Sequence, residues 1–249
     1  MSTRESAPLP GAIGISHISA YEWPAEDSVC GGSPHMHLTC TEAYVVTAGR
    51  GAVQTLTLDG YRETELEPGV IVWFTPGTVH RMVQRDGLKV TVLMQNSGLP
   101  EAGDAVFTFP QEILADPDAY AQAAALPPKE DPLAEQAARR RRDLAVSGYL
   151  ALREALSEGD SGPLREFYRA GAALVGPKVE QWIPKWRAGA LAAAERTGDQ
   201  LKALTDGDLT HLTQAQVHAV TPSRRGGYGM CGRRDEYEIP EATLPYYGE

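Results

Sequence analysis

The stretch Gly32-Ser33-Pro34-His35-Met36-His37-Leu38-Thr39-Cys40-Thr41-Glu42 decides how this chain is read. Two histidines stand at i and i+2, a glutamate follows at 42, and Gly49 lies seven residues beyond it. In a strand, side chains alternate between faces, so His35 and His37 project side by side. A second stretch, Gly69-Val70-Ile71-Val72-Trp73-Phe74-Thr75-Pro76-Gly77-Thr78-Val79-His80, ends in a third histidine. Alternation and β-branched runs make both stretches strands. Imidazoles paired in this way can share one cation, with Glu42 and His80 closing the ligand set from neighbouring strands. Three imidazoles and a carboxylate suit iron, manganese, nickel, copper or zinc, and disfavour calcium or magnesium. One divalent transition metal is therefore the expected cofactor.

Short strands surround these motifs from about Ile13 to Leu93. Gly49-Arg50-Gly51 marks a turn, and Arg85-Asp86-Gly87 links Val79–Gln84 to Leu88–Gln95. Asp59-Gly60, between Leu56-Thr57-Leu58 and Tyr61-Arg62-Glu63-Thr64, is a hairpin signal, because both residues tolerate the positive φ of a primed turn. Strands this short, joined by tight turns, imply an antiparallel sandwich or barrel. After Asn96 the pattern changes to loop and then helix. Asp116-Pro117 and Asp131-Pro132 are helix starts. From the second, Leu133, Ala137, Leu144, Leu152 and Leu156 fall on one broad face of a long helix. Further helices are expected over 164–175, 177–196 and 200–212, the middle one kinked at Pro184. The fold class expected is α+β: a mainly β barrel over 1–110 carrying the metal site, a helical region over 111–220, and an irregular tail over 221–249.

The 249 residues suffice for one large or two modest domains with a real core. Every apolar run is broken by charges or prolines before the ~18 residues a membrane span needs, so no membrane association is expected. The opening residues, Met1 to Pro8, lack the apolar stretch of a secretory signal, and a cytoplasmic address follows by default. A net charge of -10 argues against a nucleic-acid partner. Against that trend stands Arg139-Arg140-Arg141-Arg142, whose ordinary fate is a solvated helix stretch. Cys30, Cys40 and Cys231 are odd in number and widely spaced, which is no disulfide scaffold. Cys40 sits between two of the ligand candidates, yet its ordinary role is that of a small buried hydrophobe. Tyr44, Trp73 and Phe74 are expected in the core. His17 is expected in a structural role, and His211 and His218 as solvated or capping residues.

Taken together, the two stretches resemble the two sequence motifs of the cupin superfamily. His35, His37, Glu42 and Gly49 match the first, and Gly69, Gly77 and His80 match the second. The departures are Cys30 where a leading glycine is usual, Thr75 in place of proline, and Gln84 in place of asparagine. The resemblance implies a small jelly-roll-like barrel, holding a metal on His35, His37, Glu42 and His80, over roughly the first 110 residues. It also implies a small-molecule substrate and, by habit of the family, a homodimer.

Glu42 is the candidate catalytic residue, moving from ligand to proton carrier once substrate binds. The first reading of function is a non-haem metal dioxygenase, since cupins with this ligand set include dioxygenases of the quercetinase and acireductone type. An alternative is a sugar or sugar-phosphate isomerase or epimerase, because Thr75–Arg81 is similar to the second motif of cupin mannose-phosphate isomerases. There Arg81 could reach a phosphate, although outward solvation is its ordinary fate. A third reading is a non-catalytic small-molecule-binding barrel. The helical half would serve as a lid or a subunit interface.

Overall fold

Two strands of sixteen residues each, β3 (Glu42–Thr57) and β6 (Val79–Met94), run antiparallel along their whole length and organise everything else. The computed structural model describes residues 8–238. Both strands bend where the sequence suggested turns. The register between them slips around Val46–Gly51, and Gly49 (φ 71°) sits against Gly87 (φ 55°) at that point. A Cβ on Gly49 would lie 2.2 Å from the Gly87 carbonyl oxygen, so no side chain fits at the bend. The two expected interruptions are therefore bulges within continuous strands. Each satisfies the other, because two facing strands can bend together without losing their ladder.

The bend lets each long strand serve two partner sets. The first half of β3 pairs with β5 (Ile71–Phe74), and the second half pairs with β4 (Gly60–Leu66) across the expected hairpin, where Thr57 faces Gly60. In β6, His80 pairs with His35 of β2 (His35–His37), while residues 89–94 pair with β1 (Gly14–Ala20). β7 (Ala105–Phe107) pairs antiparallel with β2 on its other edge. The result is a nine-stranded antiparallel sheet curled around a core, followed by a helical region.

The expected irregular tail is in part ordered. β8 (Arg224–Tyr228) and β9 (Gly232–Glu236) form a hairpin that adds to the edge of β1. Its turn enters the interior: Ser33 donates its N–H to the Met230 carbonyl (2.8 Å), and Cys231 is buried. The alternation of polar and small residues hid this strand pair. The expectations for residues 1–7 and 239–249 lie outside the described residues.

Two apolar clusters fill the molecule. Ile18, Tyr44, Val46, Val53, Phe74, Met82 and Val90 pack inside the curled sheet. Met36, Leu56, Val79, Val106 and Phe109 belong to a second cluster between the sheet and the helices. Those helices are α1 (Gln111–Leu114), α2 (Pro117–Ala124), α3 (Ala134–Ser157), α4 (Gly162–Val175), α5 (Val179–Trp186), α6 (Ala192–Thr205) and α7 (Thr210–Thr213). Asp116 caps α2 as expected, accepting from the N–H groups of Asp118 and Ala119. α5 carries Pro184 and passes through a π-helical turn at 187–191 into α6, so the expected break before residue 200 falls at Thr205 instead. No helix among the described residues is long and apolar enough to cross a membrane.

Three expectations are corrected by the packing. The buried face of α3 runs through Ala134, Ala138, Arg141, Ala145, Tyr149 and Leu152; of the expected face, Leu152 is buried and Leu144 and Leu156 pack partly buried against the same cluster, whereas Leu133 is exposed. Small alanines let the helix approach the sheet, which the larger leucines beside them would prevent. Arg141 and Arg142 are buried rather than solvated. Arg142 donates to the carbonyls of Trp23 (2.6 Å) and Pro24 (3.0 Å), and Arg141 to that of Gly229 (2.8 Å), so α3 pins the 23–31 segment and the C-terminal hairpin. Trp73, expected in the core, is 67% exposed, because strand alternation points Phe74 inward and Trp73 outward.

Candidate metal centre

Strand alternation builds the site. On β2, Met36 faces the helices while His35 and His37 face the interior; on β6, Val79 faces the helices while His80 faces inward. Glu42 opens β3 directly opposite Phe74 and Met94. Ligand atoms of His35, His37, Glu42 and His80 all lie within 4.8 Å of one another, and all four residues are buried. The structure thus brings together the whole set expected from the sequence, and this cluster could hold a metal ion.

The hydrogen bonds fix how the rings point. His35 donates its Nδ1–H to the Ser33 carbonyl (2.9 Å), and His80 donates its own to the Thr78 carbonyl (3.1 Å). His37 Nδ1 meets the Asp104 carboxylate at 2.9 Å. Carbonyl and carboxylate oxygens only accept, so every Nδ1 carries the hydrogen and each neutral ring turns an Nε2 lone pair inward. His35 Nε2 and His80 Nε2 stand 3.1 Å apart. Glu42 Oε2 lies 3.1 Å from His80 Nε2 and 3.3 Å from His37 Nε2. That oxygen is nevertheless without a hydrogen bond of acceptable geometry. Four electron-rich atoms converging in a buried space repel one another unless a proton or a cation lies between them. The donor chemistry fits a borderline transition metal, with Nε2 of three rings and one carboxylate oxygen as ligands.

The electrostatics follow from burial and neighbours. Burial, reinforced by His80 and His37, holds the His35 imidazole well below its ordinary value. Burial also opposes a charge on His37, but its bonds to Asp104 and Glu42 outweigh that and push its pKa up to about 9. Glu42 is held well below the usual carboxylate range, because the neighbouring histidines outweigh the burial that would raise it. Above the cluster, Phe74 and Tyr44 pack on His80, with ring centroids at 4.2 and 6.3 Å. The Tyr44 hydroxyl is 3.4 Å from Cys231 Sγ. Burial keeps both neutral: the Tyr44 phenol is held well above its ordinary value and the Cys231 thiol is pushed up to about 12.

Other candidates lie elsewhere. Arg81, on the face of β6 opposite His80, is fully buried against α3 and bonded to Asp27 at 2.5 and 3.1 Å, so it is neither solvated nor at the site. Cys40 is a buried small hydrophobe, as expected. His17 is exposed and pairs with Thr91 (2.9 Å). His218 is exposed and His211 half-buried. Asp104 and Cys231 touch the site or its surroundings without having been singled out. Asp104 ends the π-helical turn Pro100–Asp104, with no spacing rule that links it to His37, and its one visible signal is an acid directly before the apolar strand Ala105-Val106-Phe107.

No family model matches the chain, and no curated protein matches it. Among solved structures it is similar to QdtA, a sugar 3,4-ketoisomerase from Thermoanaerobacterium thermosaccharolyticum, at 14% identity and a TM-score of 0.31, over 37% of this chain and 64% of that one. It is also similar to WlaRA, a TDP-fucose-3,4-ketoisomerase from Campylobacter jejuni, at 9% identity and a TM-score of 0.30, over 37% and 64%. A third is Drosophila melanogaster CENP-C bound to CAL1, at 14% identity and a TM-score of 0.26, over 33% and 59%. The chain spans less than two thirds of the length of each. At these values the overlaps say nothing about reaction or substrate.

Proposed function

We propose that this chain is a metal-dependent enzyme acting on a small oxygen-rich molecule by proton transfer, as an isomerase or epimerase does. The observation that carries the metal is the convergence of three imidazole nitrogens and a buried Glu42 oxygen within 4.8 Å of one another, the oxygen being without a hydrogen bond of acceptable geometry. A bound divalent ion would polarise a substrate carbonyl and acidify the neighbouring C–H or O–H. The residues around it supply the rest. His35, His37 and His80 orient their rings through Nδ1, and Phe74 walls the site against water. Glu42 is the group that would accept and return the proton.

Favouring proton transfer over oxygenation is Glu42, a carboxylate buried within the cluster and walled by groups that stay neutral. An ionised carboxylate at the reacting centre can take up and return a proton without an oxidant. Dioxygenation stands as the second reading, because the same ligand set also suits iron.

Elemental analysis of native-expressed protein, followed by aldose and ketose screens in deuterated water with and without oxygen, tests both. Solvent deuterium entering substrate without oxygen uptake is the expected result. Oxygen consumption would select the second reading, and tight ligand binding with neither would reduce the chain to a binding module. The Glu42→Gln variant is expected to lose turnover far more than metal content; equal loss of both would remove Glu42 from the proton step.

A further inference from the structure

We infer that Asp104 is a positioning residue for the metal centre: it locks His37 in the tautomer that offers Nε2 to the ion. The inference rests on the metal reading of the four-residue cluster.

His37 differs from the other two rings in what holds it. His35 and His80 donate to the carbonyls of residues 33 and 78, each two positions back in its own segment. Those acceptors come with the strand. His37 depends on a side chain 67 residues away, and that side chain carries a charge. Asp104 is fully buried, and no lysine or arginine pairs with it among the described residues.

Its two oxygens are divided between two tasks. Oδ2 accepts from His37 Nδ1 at 2.9 Å. Oδ1 accepts from the Thr39 backbone N–H at 2.8 Å and from its hydroxyl at 2.6 Å. The carboxylate therefore meets donors on both sides, and only an acceptor on both sides satisfies them. The turn that carries it is held in turn. Asp104 N–H donates to the Leu99 carbonyl (3.2 Å), Leu38 N–H to the Asp104 carbonyl (3.4 Å), and the Trp182 indole to the Ala102 carbonyl (3.3 Å). Trp182 belongs to α5, so the helical region reaches the site through this turn.

An asparagine at 104 has nearly the same shape but presents an amide donor to one of the two sides. Facing His37, that donor favours the tautomer with hydrogen on Nε2, which blocks ligation. Facing Thr39, it opposes the backbone N–H and loosens the turn. Outer-shell carboxylates of this kind, when mutated, typically cost roughly ten- to a hundredfold in metal affinity.

The test titrates the metal-free full chain with Co(II), read by its visible d–d absorption, in wild type, Asp104→Asn and Thr39→Val. Thr39→Val removes one bond to Oδ1 and leaves the His37 contact intact. The expected result is a roughly ten- to hundredfold weaker Co(II) affinity in D104N, with an altered spectrum, and a change of less than about threefold in T39V. Wild-type affinity in D104N, or equal losses in both variants, overturns the inference while leaving the metal reading in place. Absence of stoichiometric Co(II) uptake by wild type overturns both. A second measurement needs no variant to fold: in the Zn(II)-loaded wild type, 15N–1H spectra of the imidazoles are expected to show a slowly exchanging His37 Nδ1–H. An unprotonated Nδ1 on that ring overturns the inference.

Discussion

His80 and Arg81 are neighbours in sequence but leave β6 on opposite faces, one into the ligand cluster and the other into a buried pair with Asp27. Their substitutions are expected to separate function from stability. His80→Ala removes a ligand and abolishes stoichiometric metal uptake. Arg81→Met leaves uptake unchanged and destabilises by about 2–3 kcal/mol, below the 3–5 of a fully buried pair because Asp27 keeps some contact with water. Metal content by elemental analysis and urea unfolding of both variants check this.

The same ion pair sets an acid limit. Partial burial opposes ionisation of Asp27, but the bonds from Arg81 outweigh it and hold the carboxyl below its ordinary value. Because the folded pKa is the lower one, the stabilisation is complete above about pH 4 and fades as the pH falls through the folded value. Unfolding free energies measured from pH 6 downward should show the gap between wild type and Asp27→Asn closing in that window. A gap independent of pH would show that the carboxylate charge is irrelevant.

Gly49→Ala is expected to cost about 3 kcal/mol or more. The position requires positive φ, and the new methyl would meet backbone rather than a yielding side chain. Thermal unfolding reads the loss, and a decrease under about 1 kcal/mol would mean that the bend can relax.

Asp116→Ala should cost about 1 kcal/mol, the usual value of an N-cap that satisfies two backbone N–H groups, and leave metal uptake alone. Chemical denaturation with a parallel Co(II) titration tests both halves of the statement.

Period-two alternation was enough to place His35, His37 and His80 on one side of their strands, since that rule depends only on neighbouring residues. Its limit shows at the bends. Gly49 and Gly87 each look like a turn alone, and only their contact across 38 positions makes them a shared bulge. The arginine run was misjudged for a related reason. What decides the fate of Arg142 is a set of carbonyls at residues 23, 24 and 31, which no local pattern reveals. Asp104 escaped notice in the same way, as did the pairing of β9 with β1. Local chemistry was readable; long-range partnership between irregular segments was not.

The pairing of β1 with β9 joins residues 16–20 to residues 232–236. During synthesis the strand that flanks β1 therefore emerges more than two hundred residues after it, together with the Cys231 side chain that packs in the same cluster as Ile18 and Ala20. Until residues 231–236 have emerged, the N-terminal half carries an unzipped edge and an unfilled interior, so assembly of the metal-binding half awaits a segment far downstream of its own strands.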